Sequence, residues 1–149
     1  MGFIGFNVKD SSVQIWDGGN TRWSTTNLPT IGKAIVSILS TPERLSATEN
    51  KYIYISSHTT TQNELLAIYE KATGKKWQTE NVDSKEAGEK ALAAFKGGDF
   101  SVVGTLIKTA FLASDQLGDW EKRTSNNLLG LPKEDLEADV KGVIARASS

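Results

Sequence analysis

The chain has 149 residues and no cysteine, and its 17 basic and 18 acidic residues give a net charge of −1. This length suits one domain, residues 1–149, with a substantial core. The near-neutral charge gives no reason to expect nucleic acid as a partner. Disulfides and thiol catalysis are excluded, and no apolar stretch approaches the ~20 residues of a membrane span. No basic region leads into an apolar signal core at the N-terminus, so we expect a cytoplasmic protein and no membrane partner.

The N-terminal residues predict a hairpin. Residues 3–8 and 12–16 are short apolar runs, and the turn-prone Lys9–Ser11 lies between them. Asp17–Asn20 has the composition of a second turn, and residues 23–26 suit a short extended segment.

A helix is predicted next, because Asn27 suits an N-cap and Pro29 suits a first turn. Its apolar residues recur at helical spacing and are expected on one face: Leu28, Ile31, Ala34, Ile35, Ile38 and Leu39. Thr41 and Pro42 are predicted to end the helix, and residues 43–50 are predicted to be irregular.

The middle of the chain predicts a strand, a helix and a strand. The consecutive large residues Tyr52–Ile55 favour a strand of residues 52–56 covered on both faces. Thr61 and Glu64 have capping-box spacing at the start of a helix that Gly74 ends. Residues 76–82 favour another strand. The segment 51–82 is therefore predicted to be a βαβ unit.

The rest of the chain predicts helices. Residues 84–96 and 99–113 suit two helices separated by Gly97 and Gly98, and residues 115–127 suit a loop. Pro132 is predicted to begin a last helix, on which the alternating charges of residues 133–141 form the solvated face. The expected fold class is α/β, with a small mixed sheet flanked by helices.

Five segments, taken in order, resemble the fungal branch of the NmrA-like (isoflavone-reductase-like) family. They are GFIGFNVK, IWDGGNTRWSTTNLPTIGKAIVSIL, YIYISSHTTTQNELLAIYEKATGKKW, KGGDFSVVGTLIK and NNLLGLPKEDLEADVKGVI. This order is similar to that of the family's second half, which carries the substrate side. The resemblance covers nearly the whole chain, although each segment alone also makes sense as plain structure.

The resemblance implies a missing half. Members of the family are about twice this length, and their first half is a Rossmann domain with a glycine-rich phosphate loop. No such glycine pattern follows a strand here, and no lysine matches the one that the family places near the nicotinamide. We therefore expect no cofactor-binding residue in this chain, although the intact family uses NADP. Three interpretations follow: a fragment of a longer reductase, one half of a split enzyme, or a shortened descendant that needs no nucleotide.

His58 is the single histidine and the candidate catalytic acid or base. It follows the predicted strand 52–56, at the end where open α/β sheets place ligand clefts. The alternative is an ordinary surface or loop histidine. One histidine without cysteine also makes a metal site unexpected. Thr59 and Thr60 could bind a polar substrate, and the alternative for Thr59, Thr60 and Thr61 is helix capping and a solvated turn.

The four tryptophans could line a flat apolar site for an aromatic metabolite. Trp16 and Trp23 flank the Asp17–Asn20 turn and are the candidates for substrate binding. Core packing is the alternative, above all for Trp16 and Trp77, while Trp120 lies in a polar segment and could mark a lid or partner surface. Asp17 and Asp119 are possible acids for which a turn role is preferred.

Three functions remain open. The first is the substrate-binding half of an NmrA-like oxidoreductase, acting on a small aromatic or polycyclic metabolite in fungal secondary metabolism. The second is a cofactor-independent cyclase or isomerase that uses His58. The third is a non-catalytic interaction or oligomerisation module. A half molecule is expected to expose apolar surface, or to cover it by forming a homo-oligomer or by binding a separate nucleotide-binding chain.

Overall fold

The computed structural model describes residues 4–113 and 117–147, which fall into two compact units. Unit 1 takes the ranges 1–23, 60–118 and 136–149, and unit 2 takes the ranges 24–59 and 119–135. The single domain expected from the length stays a prediction.

Five strands and seven helices are present in the described residues. The strands are β1 (Phe6–Asn7), β2 (Ser12–Trp16), β3 (Trp23–Thr25), β4 (His58–Thr60) and β5 (Gln78–Val82). The helices are α1 (Leu28–Ser40), α2 (Pro42–Thr48), α3 (Gln62–Thr73), α4 (Ser84–Lys96), α5 (Val103–Leu112), α6 (Asn126–Leu129) and α7 (Leu136–Ala147). Single 3-10 turns occupy Asp17–Gly19, Phe100–Val102 and Glu121–Arg123.

Unit 1 contains a mixed three-stranded sheet in the order β1-β2-β5. The predicted hairpin is confirmed: β1 is antiparallel to β2, with Phe6 opposite Val13. β2 is parallel to β5 along its whole length, with Trp16 opposite Val82. Helices α3, α4, α5 and α7 complete this unit, so the expected class, a small mixed sheet flanked by helices, is confirmed.

Two glycines of unit 1 hold conformations that a side chain would disturb. Gly5 has φ +92°, and a Cβ atom there would lie 2.8 Å from the Gln14 carbonyl oxygen. Gly19 has φ +73°, and its Cβ would lie 2.7 Å from the Asn63 side-chain oxygen. The Asn63 amide in turn donates to the Gly18 carbonyl at 2.8 Å. The predicted turn after β2 is therefore confirmed and is held by α3.

The core of unit 1 is rich in aromatic residues. Phe6 and Tyr69 stack with ring centroids 5.1 Å apart, and Trp77 lies 4.9 Å from Tyr69. The wholly buried Gln62 side chain joins α3 to the sheet, because its oxygen accepts from the Trp16 amide N–H at 2.8 Å. Its amide nitrogen donates to the carbonyls of Gln14 at 2.8 Å and Ile4 at 3.1 Å.

The helix ends that carry capping residues in the sequence lie where they are predicted. Thr61 and Glu64 form the predicted capping box of α3, and Gly74 ends that helix with φ 66°. Asp83 caps α4 by accepting the Glu86 amide N–H at 2.9 Å, and the helix covers the predicted residues 84–96.

Unit 2 contains α1, where the predicted helix is confirmed. Its buried residues are Thr30, Ala34 and Ser37, whereas most of its large aliphatic side chains are exposed, Ile38 being partly buried: Leu28, Ile31, Ile35, Val36 and Leu39. The segment 43–50, predicted to be irregular, mostly forms α2 instead. Thr41 accepts the Arg44 amide N–H at 3.2 Å, and Pro42 occupies the first position, so Thr41 ends one helix and begins the next.

The predicted strand 52–56 is also wrong. Tyr52 is 92 % exposed, and residues 54–56 bond to Ser125, Thr26 and Asn126, none of which belongs to a strand. The Ser56 amide N–H donates to the Asn126 side chain, and the Asn126 amide donates back to the Ser56 carbonyl at 2.6 Å. The predicted βαβ unit of residues 51–82 is therefore wrong, because β4 pairs with β3 while β5 belongs to the other sheet.

The C-terminal third departs from prediction at its element boundaries. The helix predicted at 99–113 begins as a 3-10 turn and continues as α5, and the loop predicted at 115–127 contains the start of α6. The last helix starts at Leu136 and not at Pro132, since the chain runs irregularly between α6 and α7. Residues 3, 115 and 116 of the predicted elements lie outside the described residues. Among the described helices, none has the length and apolar run needed to cross a bilayer.

Candidate functional site

His58, the predicted acid or base, is the first residue of β4 rather than a residue that follows a strand. Its side chain is mostly buried, at 9 % exposure. Thr59 follows it on the opposite face of the strand, and the hydroxyls of Thr59 and Ser24 share a hydrogen bond of 2.8 Å. Ser24 belongs to β3, so the two short strands of unit 2 bring these polar groups together.

A closed network of polar side chains surrounds the N-terminus of α1, and we call it the Glu134 network. The Glu134 carboxylate accepts the Asn27 side-chain amide at 2.6 Å and the Thr30 hydroxyl. The Ser57 hydroxyl donates to the Thr30 oxygen at 3.1 Å and accepts the Asn27 backbone N–H at 3.0 Å. A negative group at this position also interacts favourably with the positive end of the helix dipole.

Glu134 is the residue that sequence reasoning missed. The charges of residues 133–141 are predicted to form the solvated face of a helix, but Glu134 precedes α7 and its carboxylate is engaged by Asn27 and Thr30. Asn27 holds the predicted N-cap position, yet its side chain makes no capping bond to the helix. No local pattern could indicate this, because the partners are 107 and 104 residues apart.

The imidazole of His58 lies close to this network. One of its ring nitrogens and a Glu134 carboxylate oxygen are within 4.8 Å of each other. A carboxylate near an imidazole can orient the ring, which is an arrangement used in acid–base catalysis. Unit 2 therefore contains a histidine and a carboxylate that could move a proton together. The expected absence of a metal site stays a prediction.

An aromatic pair lies in the same unit. Tyr54 and Trp120 have ring centroids 4.7 Å apart, and both side chains are partly buried. The Trp120 backbone N–H donates to the Ser24 hydroxyl at 3.1 Å, so the pair is connected to the Ser24–Thr59 contact. Flat aromatic surfaces suit recognition of an aromatic ligand, and hydroxyls suit the polar groups that such a ligand carries.

Thr60 and Thr61 have structural partners in unit 1. The buried Thr60 hydroxyl donates to the Glu64 carboxylate at 2.9 Å, and the Thr61 hydroxyl accepts the Glu64 backbone N–H at 3.1 Å. These bonds agree with the capping alternative for Thr61. The role of Thr59 and Thr60 towards a substrate stays a prediction.

Trp16 and Trp23 both lie in the core of unit 1, at 2 % and 5 % exposure. Their indole nitrogens are buried and have no hydrogen-bond partner among the described residues. The Lys108 ammonium lies 5.2 Å from the Trp16 ring. Both residues therefore make the packing contacts that were the alternative for them, and their contact with a substrate stays a prediction.

The two candidate aspartates hold turns, as preferred from the sequence. Asp17 has φ 46°, and its carboxylate accepts the Ser84 backbone N–H at 2.9 Å and the Ser84 hydroxyl at 2.5 Å. Asp119 accepts the Glu121 backbone N–H at 3.0 Å. Asp17 thereby connects the turn after β2 to the start of α4.

A groove of about 460 Å³ runs beside α1 within unit 2. Its lining is mainly apolar and includes Val36 and Leu129, while Lys33 and Arg44 add positive charge to the lining. None of the described residues that line it is acidic. Ser37 also lines the groove, and its hydroxyl donates to the Leu129 carbonyl at 2.6 Å and holds α6 against α1.

No family model matches this chain. Oxidoreductase aprR of Aspergillus flavus is 28 % identical over 144 residues, which are 95 % of this chain and 48 % of that protein. Oxidoreductase poxI of Penicillium oxalicum is 29 % identical over 146 residues, 95 % of this chain and 45 % of that protein. The chain thus spans about half the length of the curated relatives it matches, and over nearly its whole length it is similar to proteins named oxidoreductases.

Solved structures share the fold at lower identity. A nucleoside-diphosphate-sugar epimerase from Staphylococcus aureus matches with a TM-score of 0.62 at 18 % identity, covering 90 % of this chain and 44 % of the epimerase. A triphenylmethane reductase from Citrobacter sp., solved with NADP(H), matches with a TM-score of 0.60 at 21 % identity, covering 94 % of this chain and 48 % of the reductase. The chain therefore has the fold of about half of each of these proteins.

Proposed function

We propose that this chain is the substrate-side half of an NAD(P)-dependent oxidoreductase of the NmrA-like kind, acting on a small aromatic or polycyclic metabolite in fungal secondary metabolism. One observation carries the proposal. The chain is similar over 95 % of its length to an Aspergillus oxidoreductase while spanning 48 % of that protein. The Citrobacter reductase that shares its fold was solved with NADP(H), and the matched part is again about half.

The assignment to the substrate side rests on what the chain contains. Its sequence has no glycine-rich strand-to-helix turn of the type that cradles a dinucleotide. Unit 2 instead holds the Tyr54–Trp120 aromatic pair, and the Trp120 backbone N–H donates to the Ser24 hydroxyl, which shares a hydrogen bond with the Thr59 hydroxyl. These groups suit the rings and oxygen substituents of an aromatic metabolite, while the nucleotide would be held by residues outside this chain.

In this proposal, the Glu134 network fixes the groups around His58. His58 supplies or removes a proton on the substrate, and Glu134 orients the imidazole through its charge. Thr59 offers a hydroxyl to a polar substituent of the substrate.

Ligand titration tests the proposal on the chain as it is. Tryptophan fluorescence should be quenched by flat aromatic probes such as a flavone or an anthraquinone, and NADPH should show no saturable binding by calorimetry. Trp120→Phe should remove most of the quenching, because Trp120 lies in the proposed site. Trp77→Phe is the matched control, since Trp77 belongs to the aromatic core of unit 1. Tight NADPH binding by the chain alone would refute the assignment to the substrate side.

A cofactor-independent cyclase or isomerase is the second candidate function. The observation that favours it is the closeness of His58 and Glu134 within unit 2, since proton transfer by this pair needs no nucleotide. In D₂O, such an enzyme would exchange acidic C–H protons of aromatic ketone probes. His58→Ala should abolish this exchange, and full exchange by that variant would eliminate the mechanism.

A further inference from the structure

A further groove lies in unit 1, and we call it the Tyr69 groove. It has a volume of about 330 Å³, and its lining comes from the β1–β2 hairpin (residues 4 and 6–9), from Tyr69 on α3, and from Val143 and Ala147 on α7. Liquid water occupies ~30 Å³ per molecule, so the groove has room for a ligand of about ten non-hydrogen atoms. None of the residues that line it belongs to unit 2, which carries the proposed function.

Most of the lining of the Tyr69 groove is apolar, with Ile4, Phe6, Val8 and Val143 among its residues. The Phe6 ring stacks on the Tyr69 ring at 5.1 Å, and both belong to the buried core of unit 1, so this part of the lining is held in place by packing. Val143 is 36 % exposed, so part of the apolar lining is open to water. Covering such a surface with an apolar ligand is favourable.

The Tyr69 side chain brings a hydrogen-bond donor to this groove. The side chain is only 6 % exposed, and within the described part of the chain its hydroxyl has no hydrogen-bond partner. Burial raises the pKa of this hydroxyl, which therefore stays protonated at neutral pH and able to donate. A tyrosine hydroxyl in such a buried position usually has a partner. Since Tyr69 lines the groove, a ligand with an acceptor group can be that partner.

Lys9 makes the lining of the Tyr69 groove positive. It is the one charged residue among the described residues of the lining, and it is exposed. The acidic residues of the hairpin, α3 and α7 have partners of their own, and none of them lines the groove: Asp10, Glu64, Glu70, Glu137 and Asp139. An acceptor group that carries a negative charge therefore fits this lining better than a neutral one.

We propose that the Tyr69 groove is a ligand site for a small apolar carboxylic acid that is free in solution. The carboxylate of the ligand accepts from the Tyr69 hydroxyl and is attracted by the Lys9 ammonium, while its hydrocarbon part packs against Phe6 and Val143. A hydrogen bond to a carboxylate is stronger than one between two neutral groups, so the site favours an acid over an alcohol of the same length. This site does not depend on the proposed function of unit 2.

Calorimetric titration of the whole chain with octanoate and with 1-octanol tests the inference. Octanoate has about the number of non-hydrogen atoms that the groove can hold. We expect saturable binding of octanoate below about 1 mM, and weaker binding of the uncharged alcohol. Tyr69→Phe keeps the ring and should weaken octanoate binding about tenfold. Lys9→Gln should weaken it about threefold at low salt and less at high salt, and should leave 1-octanol binding unchanged.

Two more variants separate the groove from general effects on folding. Tyr52→Phe is the matched control, because Tyr52 is 92 % exposed and lies in unit 2, and it should not change octanoate binding. Val143→Phe adds bulk to the groove without touching the Tyr69 hydroxyl and should abolish binding. Val143 is partly exposed, so this change affects the groove rather than the core. The thermal unfolding of each variant confirms that it is folded.

Three results would overturn the inference. The first is octanoate binding that stays unchanged in Tyr69→Phe and in Val143→Phe. The second is equal affinity for octanoate and 1-octanol, and the third is the lack of saturable octanoate binding at about 1 mM. The aromatic probes and NADPH that test the proposed function are not used in these titrations, so failure of this site is distinct from failure of that proposal.

Discussion

Replacing Gln62 by Met should destabilise unit 1 strongly although the two side chains have similar size. The Gln62 amide bonds the Trp16 N–H and the carbonyls of Gln14 and Ile4, at 2.8, 2.8 and 3.1 Å. Only one of the two orientations of the Gln62 side-chain amide turns its oxygen towards the Trp16 N–H and its nitrogen towards the two carbonyls. The assignment of oxygen and nitrogen in this side chain is therefore unambiguous. Met offers neither a donor nor a strong acceptor and would leave these three backbone groups without their partner.

An unpaired buried polar group costs about 1–3 kcal/mol. Water can reach the two carbonyls more easily than the Trp16 N–H, because their bonds are only partly buried. We therefore expect Gln62→Met to lose about 4 kcal/mol in total, a large part of the ~5–15 kcal/mol that stabilises a typical domain. This corresponds to a fall of roughly 10 °C in Tm for a chain of this length.

Urea unfolding followed by tryptophan fluorescence measures this loss, since Trp16 is itself a partner of Gln62. The matched control is Gln14→Met, which removes a solvent-exposed bond of 3.0 Å to Glu80. It should change the free energy of unfolding by less than about 0.5 kcal/mol. If Gln62→Met unfolds within about 1 kcal/mol of the unmutated chain, the assignment of these bonds as a main connection between α3 and the sheet is wrong.

Three further changes test separate contacts. Asp17→Ala removes the acceptor of the Ser84 N–H and hydroxyl and should lower the unfolding free energy by about 2 kcal/mol; an unchanged urea midpoint would contradict this. Glu134→Gln replaces a carboxylate oxygen that accepts from Asn27 or Thr30 by an amide nitrogen that can only donate. Backbone amides at the start of α1 should then exchange with D₂O several-fold faster. Unaltered exchange would argue against the Glu134 network. Burial raises the pKa of Tyr69 above its ordinary value of 10.0, so its contribution to stability is present below that value and is lost as pH rises through the raised pKa. Stability measured between about pH 9 and pH 11 should therefore fall less in Tyr69→Phe, and parallel curves would refute that cause.

Much of the secondary structure could be predicted because its signals are local. Thr61, Glu64 and Gly74 mark the ends of α3 by bonds within a few residues, and the turn residues after β1 and β2 allow the conformations observed there. The prediction for Thr41 and Pro42 was incomplete for the same reason. Their chemistry indicates a helix boundary, but it does not say whether one helix ends there or a second one also begins.

The predictions that failed concern segments whose structure is decided by residues that are distant in sequence and pack against them. The large residues Tyr52–Ile55 have high strand propensity, yet a strand needs a free ladder partner, and the residues after Tyr52 are bonded by Asn126 and by the loop after β3. The periodicity of α1 correctly predicted a helix with one apolar face. It could not predict that small polar residues would be the buried ones, because that depends on Glu134 and Leu129.

By itself, then, the sequence determined the class of fold, the ends of α3 and α4, the turns of unit 1 and the similarity to half of an oxidoreductase. Those features depend on short-range bonds and on the order of segments along the chain. The tertiary structure alone decided that Glu134 meets Asn27 across 107 residues, that His58 lies near that carboxylate, and that the aliphatic side of α1 is exposed. Each of these is a contact, or the lack of one, between segments distant in sequence, and hydrophobic periodicity does not specify which side of a helix a neighbour will cover.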